Sequence, residues 1–165
     1  MRPPTITLDQ LAPLPVVHRA VIPPEYEDRN GHMNVRWYMA IYDEAGDAMY
    51  PMLGLDEESL KPIDGGGFDL EHHLHYLSEV RIGETVAIRA RLLGRNAKIM
   101  HYIFFMVNET RGVVSSTFEC VHAYADLVAR RTAPFPPHIA AKLDALIAEH
   151  DRLAWPAPTS GPMGT

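Results

Sequence analysis

Two periods of apolar spacing divide this chain. Over residues 35–53 the spacing is three-and-four, with Trp37, Tyr38, Ile41, Tyr42 and Ala45 recurring as the buried stripe of a helix. From Phe68 onward the period falls to two, as in strands. Ahead of the helix, residues 15–26 are an apolar, β-prone run whose Pro23 and Pro24 limit its ladder and place it at an edge or a bulge. Asp28, Arg29, Asn30 and Gly31 then make a polar turn, in which Gly31 supplies permissive backbone. Asn34 is placed to cap the helix, because its side-chain oxygen can accept from an amide of the first turn. Pro51 weakens the last turn and Gly54 is a stop.

Phe68, Leu70, His72, Leu74 and Tyr76 alternate with Asp69, Glu71, His73, His75 and Leu77, which predicts a strand with the first set on its apolar face. A turn at 79–83 leads to a strand at 84–93 with Val86, Ile88, Ala90 and Leu92 inward. Residues 98–108 are apolar on both faces, as in a central strand covered on both sides. A long last strand spans 113–128, and an amphipathic helix spans 138–153. Residues 56–67 read as a polar loop whose three glycines mark a free bend or a close approach. One helix followed by four meandering strands closes a core only if the sheet wraps the helix, and short turns impose antiparallel order. The prediction is an α+β hot dog fold: a curved antiparallel sheet of about five strands around one central helix, plus a C-terminal helix. A single domain is expected over 16–154, after an extended Pro-rich arm at 1–15 and before a disordered tail at 155–165.

Composition narrows the functional classes. A chain of 165 residues suits one core, and no stretch approaches the length that spans a bilayer. The first fifteen residues carry no apolar run after a basic start, so no secretory signal and no membrane partner are expected. Cys120 is the only cysteine, which excludes an internal disulfide and fits a cytoplasmic setting. A net charge of −6 argues against nucleic acid as partner but leaves room for a local basic set, namely Arg81, Arg95, Lys98, Arg130 and Arg131. Exposed sheet edges and the apolar outer face of 98–108 predict a homodimer or homotetramer.

The chemistry concentrates at the helix start. Asp28, Asn30, His32 and Asn34 meet there with free amides and the positive end of the helix dipole, a natural anion site. Asp28 reads as a base or nucleophile, or as an Asx residue that stabilises its turn. Asn34 reads as a cap, a positioning group, or both; His32 as a proton-transfer aid or a hydrogen-bonded structural histidine. The amides near 33–36 offer an oxyanion site. Glu71, His73 and His75 share one strand face, yet nothing completes a recognised ligand pattern, and no metal or cofactor is expected. His72 reads as a core histidine; Cys120 as buried and inert, although His122 shares its face. Trp37, Tyr38, Tyr42 and Phe68 are core by spacing, and such rings also suit a quaternary ammonium group.

Three sets of residues carry a resemblance: Asp28-x-x-Gly31-His32-Met33-Asn34-x-x-x-Tyr38 opening a helix after a first strand, Tyr76-Leu77-x-Glu79-Val80-x-x-Gly83, and Arg131-x-Ala133-Pro134-Phe135-Pro136. Over 16–150 the chain resembles hot dog thioesterases of the 4-hydroxybenzoyl-CoA thioesterase type, and most of all the short betainyl-CoA thioesterases of carnitine breakdown. The resemblance implies hydrolysis of an acyl-CoA thioester, with coenzyme A as part of the substrate. It places the catalytic aspartate on Asp28, with Asn34 and His32 beside it. Asn30, Gly31, Met33, Trp37, Tyr38, Phe68 and Glu71 become the substrate-binding set, with Glu71 reaching the site across a dimer seam. Some relatives use a carboxylate on the central helix instead, for which Asp43, Glu44 and Asp47 are available. Two alternatives stand beside this. A hot dog enoyl-CoA hydratase or dehydratase would need D-x-N-x-x-H, but here the histidine arrives one residue early. A non-catalytic acyl-binding module would have no need of Asp28.

Overall fold

The computed structural model describes residues 6–165. The chain runs α1 (Leu8–Leu11), β1 (Val16–Val21), α2 (Val35–Leu53), α3 (Glu57–Leu60), β2 (Gly65–Tyr76), β3 (Thr85–Arg95), β4 (Ile99–Asn108), β5 (Val113–Asp126), β6 (Arg131–Thr132) and α4 (Pro137–His150). The strands form one sheet in the order β1-β3-β4-β5-β2, with β6 on β5. The described residues divide into two compact units: one of residues 6–48, Leu74–Ala90 and Phe104–Phe118, the other of Met49–His73, Arg91–Ile103 and Glu119–Thr165.

The expected meander holds for β3, β4 and β5 but not for β2, which lies beyond β5. The reason is the segment after β2. The Leu77 and Ser78 amides both donate to the Ser115 carbonyl, at 2.8 and 3.1 Å, and the Val80 carbonyl accepts from Met33 at 2.8 Å. Those bonds tie the segment to β5 and to the turn before α2, so it cannot fold back on β2 as a hairpin. The β2 face expected inward is correspondingly open, with Phe68 65%, Leu70 47% and Tyr76 51% exposed.

In the first unit, Tyr38, Ile41, Tyr42 and Ala45 are buried, as the helical stripe demands. The Tyr42 ring lies 4.9 Å from Phe118 and 6.2 Å from Phe104, and its hydroxyl is 2.7 Å from Ser116 Oγ. That partner makes its burial affordable. The arm expected to be extended carries α1 instead; its first five residues lie outside those described. Thr7 and Gln10 form a capping box, and Arg89 Nη1 donates to the carbonyls of Leu11, Ala12 and Leu14 at 3.2, 3.1 and 2.6 Å.

In the second unit, β3 outlasts its partner, since β1 begins opposite Arg89. The next available amide, on Leu92, donates to His150 Nδ1 at the end of α4, at 2.9 Å. Burial lowers the His150 pKa, which keeps that nitrogen an acceptor. The tail expected to be disordered is packed here. Arg91 donates to the Trp155 carbonyl at 2.9 Å and its guanidinium lies 4.3 Å from the Trp155 ring centroid. The buried Glu119 takes His101 at 2.8 Å and the Ser160 amide at 2.7 Å. Two buried apolar anchors, Trp155 and Met163, hold a stretch whose prolines and glycines signalled disorder.

The three glycines open β2 and mark a close approach, not a free bend. A Cβ on Gly65, Gly66 or Gly67 would run into the side chains of Tyr124, Leu127 and His122 respectively. His72, expected in the core, is exposed and sits 2.9 Å from Asp69 Oδ2. His122 Nδ1 is 2.5 Å from Asp69 Oδ1. Burial pushes the Asp69 carboxyl up, but hydrogen bonds and charge from His122 and then His72 outweigh it and hold the pKa at about 2. Burial, then the charge of Asp69, pushes the Cys120 thiol far up.

The glycines give opposite predictions. Gly67→Ala drives a methyl into the fixed His122 ring and is expected to cost about 1–3 kcal/mol. Gly46→Ala, in mid-helix with nothing near the new methyl, should stabilise by about 0.5–1 kcal/mol. Urea midpoints of the two variants check both signs.

Candidate active site

The site is built in the first unit by a loop that closes on itself. The Asp28 amide donates to the His32 carbonyl and the Gly31 amide to the Asp28 carbonyl, both at 3.0 Å. Gly31 takes φ +77°, the left-handed conformation that such a tight reversal needs and that glycine adopts without strain. Asp28 Oδ1 accepts from the Asn30 amide at 2.7 Å, so the Asx turn is present. That bond occupies one oxygen and fixes the orientation of the other. The loop then joins its surroundings: Glu27 and Met33 form a bridge, and the Asn34 amide donates to the Tyr26 carbonyl at 2.9 Å.

Asn34 caps α2, with Oδ1 accepting from the Arg36 amide at 3.2 Å and the Trp37 amide donating to its carbonyl at 3.0 Å. This revises the amide site expected over 33–36. Met33, Asn34 and Arg36 are engaged, and of the four only the Val35 amide has no partner among the described residues. His32 Nδ1 lies 3.3 Å from the Met33 carbonyl, which it can only donate to, and 3.8 Å from Asp28 Oδ1. The histidine is thus held by backbone rather than by the carboxylate.

A cavity of about 440 Å³ opens at this helix start, lined by Asp28, His32, Met33, Asn34, Val35, Tyr38, Tyr76, Leu77, Ser78 and Glu79. It gathers all three residues predicted as catalytic, together with Met33 and Tyr38. Asn30, Gly31, Trp37, Phe68 and Glu71 do not line it. Asn30 and Gly31 serve the loop backbone. Trp37 is stacked on Tyr26 at 3.9 Å, with the Arg36 guanidinium 4.8 Å from its ring centroid, so its faces are in use. Phe68 borders a separate cavity of about 310 Å³ in the second unit, with Arg130 and Arg131. Glu71 is exposed on β2.

Sequence reasoning missed Tyr76, Leu77, Ser78 and Glu79 as lining residues, although Tyr76, Leu77 and Glu79 stood in a quoted motif. Their signal was long-range: the Leu77 and Ser78 bonds to Ser115 bring that segment to the helix start. The Tyr38 and Tyr76 rings meet edge to face at 5.1 Å. Burial raises the Tyr38 pKa, against a hydrogen bond with the Val80 backbone, and burial also raises that of Tyr76, so both stay neutral. Glu79 pairs with Arg81 at 2.6 Å, and the lining itself contains no lysine or arginine. Asp28 and Glu79 give it acidic character.

Comparison with known proteins bears on the family and the fold. The profile of the thioesterase-like superfamily matches residues 22–143. The betainyl-CoA thioesterase of Pseudomonas aeruginosa is 32% identical over 133 residues, covering 81% of this chain and 84% of its own. The L-carnitine dehydrogenase/betainyl-CoA thioesterase of Agrobacterium fabrum is 30% identical over 82% of this chain, which spans only 28% of that longer protein. Among solved structures, a Staphylococcus aureus protein in complex with CoA superposes with a TM-score of 0.81 at 21% identity, covering 92% of this chain and 96% of that one. The 1,4-dihydroxy-2-naphthoyl-CoA thioesterase of Synechocystis gives 0.67 at 12% identity, over 83% and 98%. The expected α+β hot dog class therefore stands. With its family profile spanning most of the fold, this chain belongs to the thioesterase-like superfamily and is a thioester hydrolase.

Proposed function

We propose that the chain hydrolyses a short, betaine-type acyl-CoA such as betainyl-CoA to the free acid and CoA. One observation carries this: Asp28 and the unpartnered Val35 amide stand at the same helix start, in a cavity that is acidic and lined by two tyrosine rings. The names of the relatives support the substrate class. A trimethylammonium group fits a pocket with Tyr38, Tyr76 and the Asp28 carboxylate, the Glu79 carboxylate being paired with Arg81.

In this reading Asp28 takes a proton from water as the oxygen attacks the thioester carbon, or attacks that carbon itself to give a mixed anhydride that a water molecule then hydrolyses to the free acid, restoring the carboxylate. The Val35 amide, at the positive end of α2, stabilises the oxyanion; collapse then breaks the carbon–sulfur bond and releases CoA thiolate. Asn34 positions this amide through the cap, and His32 lies within reach for proton transfer. Of the basic set read in the sequence, Arg81 pairs with Glu79 and Arg95 with Asp144. No described helix is long and apolar enough to cross a membrane. A cytoplasmic enzyme fits the single buried thiol.

Asp28→Asn should keep the loop and lower turnover by about two orders of magnitude or more. Val35→Pro removes the amide hydrogen at the first helical position, where proline is tolerated. It should cost about a hundredfold or more in kcat, with an unchanged circular dichroism spectrum, whereas Val35→Ala should cost little. Near-normal turnover in either first variant contradicts this site.

We also infer a homodimer, since β2 ends the sheet order and exposes Phe68, Leu70, Tyr76 and Leu77. Light scattering at micromolar concentration should give at least twice the chain mass of 18.5 kDa, and less for Phe68→Glu with Leu70→Glu. A monomeric mass for the unaltered chain contradicts it.

A further inference from the structure

Outside the catalytic cavity, the second unit concentrates ligand-type side chains at one point where β2 and β5 meet. Asp69 and His72 come from β2, and Cys120 and His122 from β5. The Asp69 carboxylate is the hub: His122 Nδ1 lies 2.5 Å from Oδ1 and His72 Nε2 lies 2.9 Å from Oδ2. One ligand atom from each of Asp69, His72 and Cys120 falls within 4.8 Å of the others.

We propose that Asp69, His72 and Cys120 together bind one divalent transition-metal ion of the zinc type. The Asp69–His72 pair is now joined by a hydrogen bond, with the Cys120 sulfur nearby. A metal ion at the centre takes the place of that bond: the thiol gives up its hydrogen to solvent, His72 Nε2 becomes a ligand, and the carboxylate turns from hydrogen-bond acceptor to metal ligand. Bonds of about 2.0–2.3 Å place tetrahedral ligand atoms roughly 3.3–3.8 Å apart, so the 2.9 Å His72–Asp69 pair opens slightly while separations of up to 4.8 Å close by about an ångström or a little more.

The donor set selects the class of ion. One oxygen, one nitrogen and one sulfur suit zinc or cobalt and not magnesium or calcium, which take oxygen ligands. The outer contacts are also in place. His122 holds the non-ligating side of Asp69, its ring confined by the Gly67 backbone, and the Tyr102 hydroxyl bonds to the Cys120 sulfur. Access exists on one side only: the Asp69 and His72 side chains are 33% and 27% exposed, while Cys120 is buried. Three protein ligands leave a fourth position for water. The histidine-rich stretch of β2 supplies too few ligands alone; the fold adds the thiol from β5.

Cobalt(II) titration tests this without reference to turnover, so it stands or falls apart from the thioesterase reading. The full chain should take up one equivalent and develop a near-ultraviolet thiolate-to-cobalt charge-transfer band together with tetrahedral visible bands, both displaced by zinc. Cys120→Ser should abolish the charge-transfer band. His72→Ala, at an exposed position that leaves folding intact, should weaken binding by about a hundredfold or more, and His73→Ala should change nothing. Absence of the charge-transfer band at saturating cobalt overturns the site and leaves a proton-linked clamp between β2 and β5. A band that survives Cys120→Ser, or an unchanged affinity in His72→Ala, overturns it equally. Should Cys120→Ser fail to fold, the His72→Ala affinity decides.

Discussion

The backbone amides around Asn34 decide what the start of α2 can do. A helix start leaves four amides without helical partners, and most proteins satisfy them with caps and water. Here the Asn34 side chain takes Arg36, its carbonyl takes Trp37, and the closed loop from Asp28 to His32 commits Met33 and Asn34 to neighbouring carbonyls. What remains without a partner among the described residues is one N–H, on Val35, at the positive end of a nineteen-residue helix, in a residue that lines the same cavity as Asp28. Every other feature of the site depends on that saturation. A second free amide would bind water or anions without discrimination, and a loose loop would leave the Asp28 carboxylate to its own rotamers. The Asx turn and the catalytic reading of Asp28 are therefore compatible: one oxygen locks the turn, and the lock aims the other.

The substrate end of the cavity follows from a different constraint. Because β2 crosses to the far side of β5, the segment after it is drawn to the helix start, and Tyr76 and Glu79 arrive beside Tyr38. Two neutral rings and the Asp28 carboxylate make a wall that favours a cation, while the Glu79 charge is met by Arg81. Trp37, one of the four rings the sequence offered for such a group, is spent on Tyr26.

Local signals in the sequence were legible and long-range ones were not. The helix stripe of Tyr38, Ile41, Tyr42 and Ala45, the Gly31 turn, the Asn34 cap and the two-sided burial of β4 all arise from spacing or from a residue's own chemistry, and each is present. The place of β2 depends on backbone bonds between Leu77, Ser78 and Ser115, which no periodicity encodes. The packing of Trp155 and Met163 depends on Arg91 and Glu119 more than thirty residues earlier, so composition alone read that tail as disordered. The arm carried a readable signal that was passed over, since Thr7 and Gln10 have the spacing of a capping box. Of the site, the half that belongs to the turn was visible, and the half contributed after β2 was not.

The most direct measurement compares thiol release from betainyl-CoA with that from tert-butylacetyl-CoA, a neutral carbon isostere of the same shape. Aromatic faces and carboxylate charge should favour the cation by about 1 kcal/mol or more, so kcat/KM for betainyl-CoA should exceed that for the isostere by about fivefold to tenfold or more. Tyr76→Leu should shrink that ratio while leaving the rate on the isostere nearly unchanged. Equal or faster hydrolysis of the neutral ester would contradict the account.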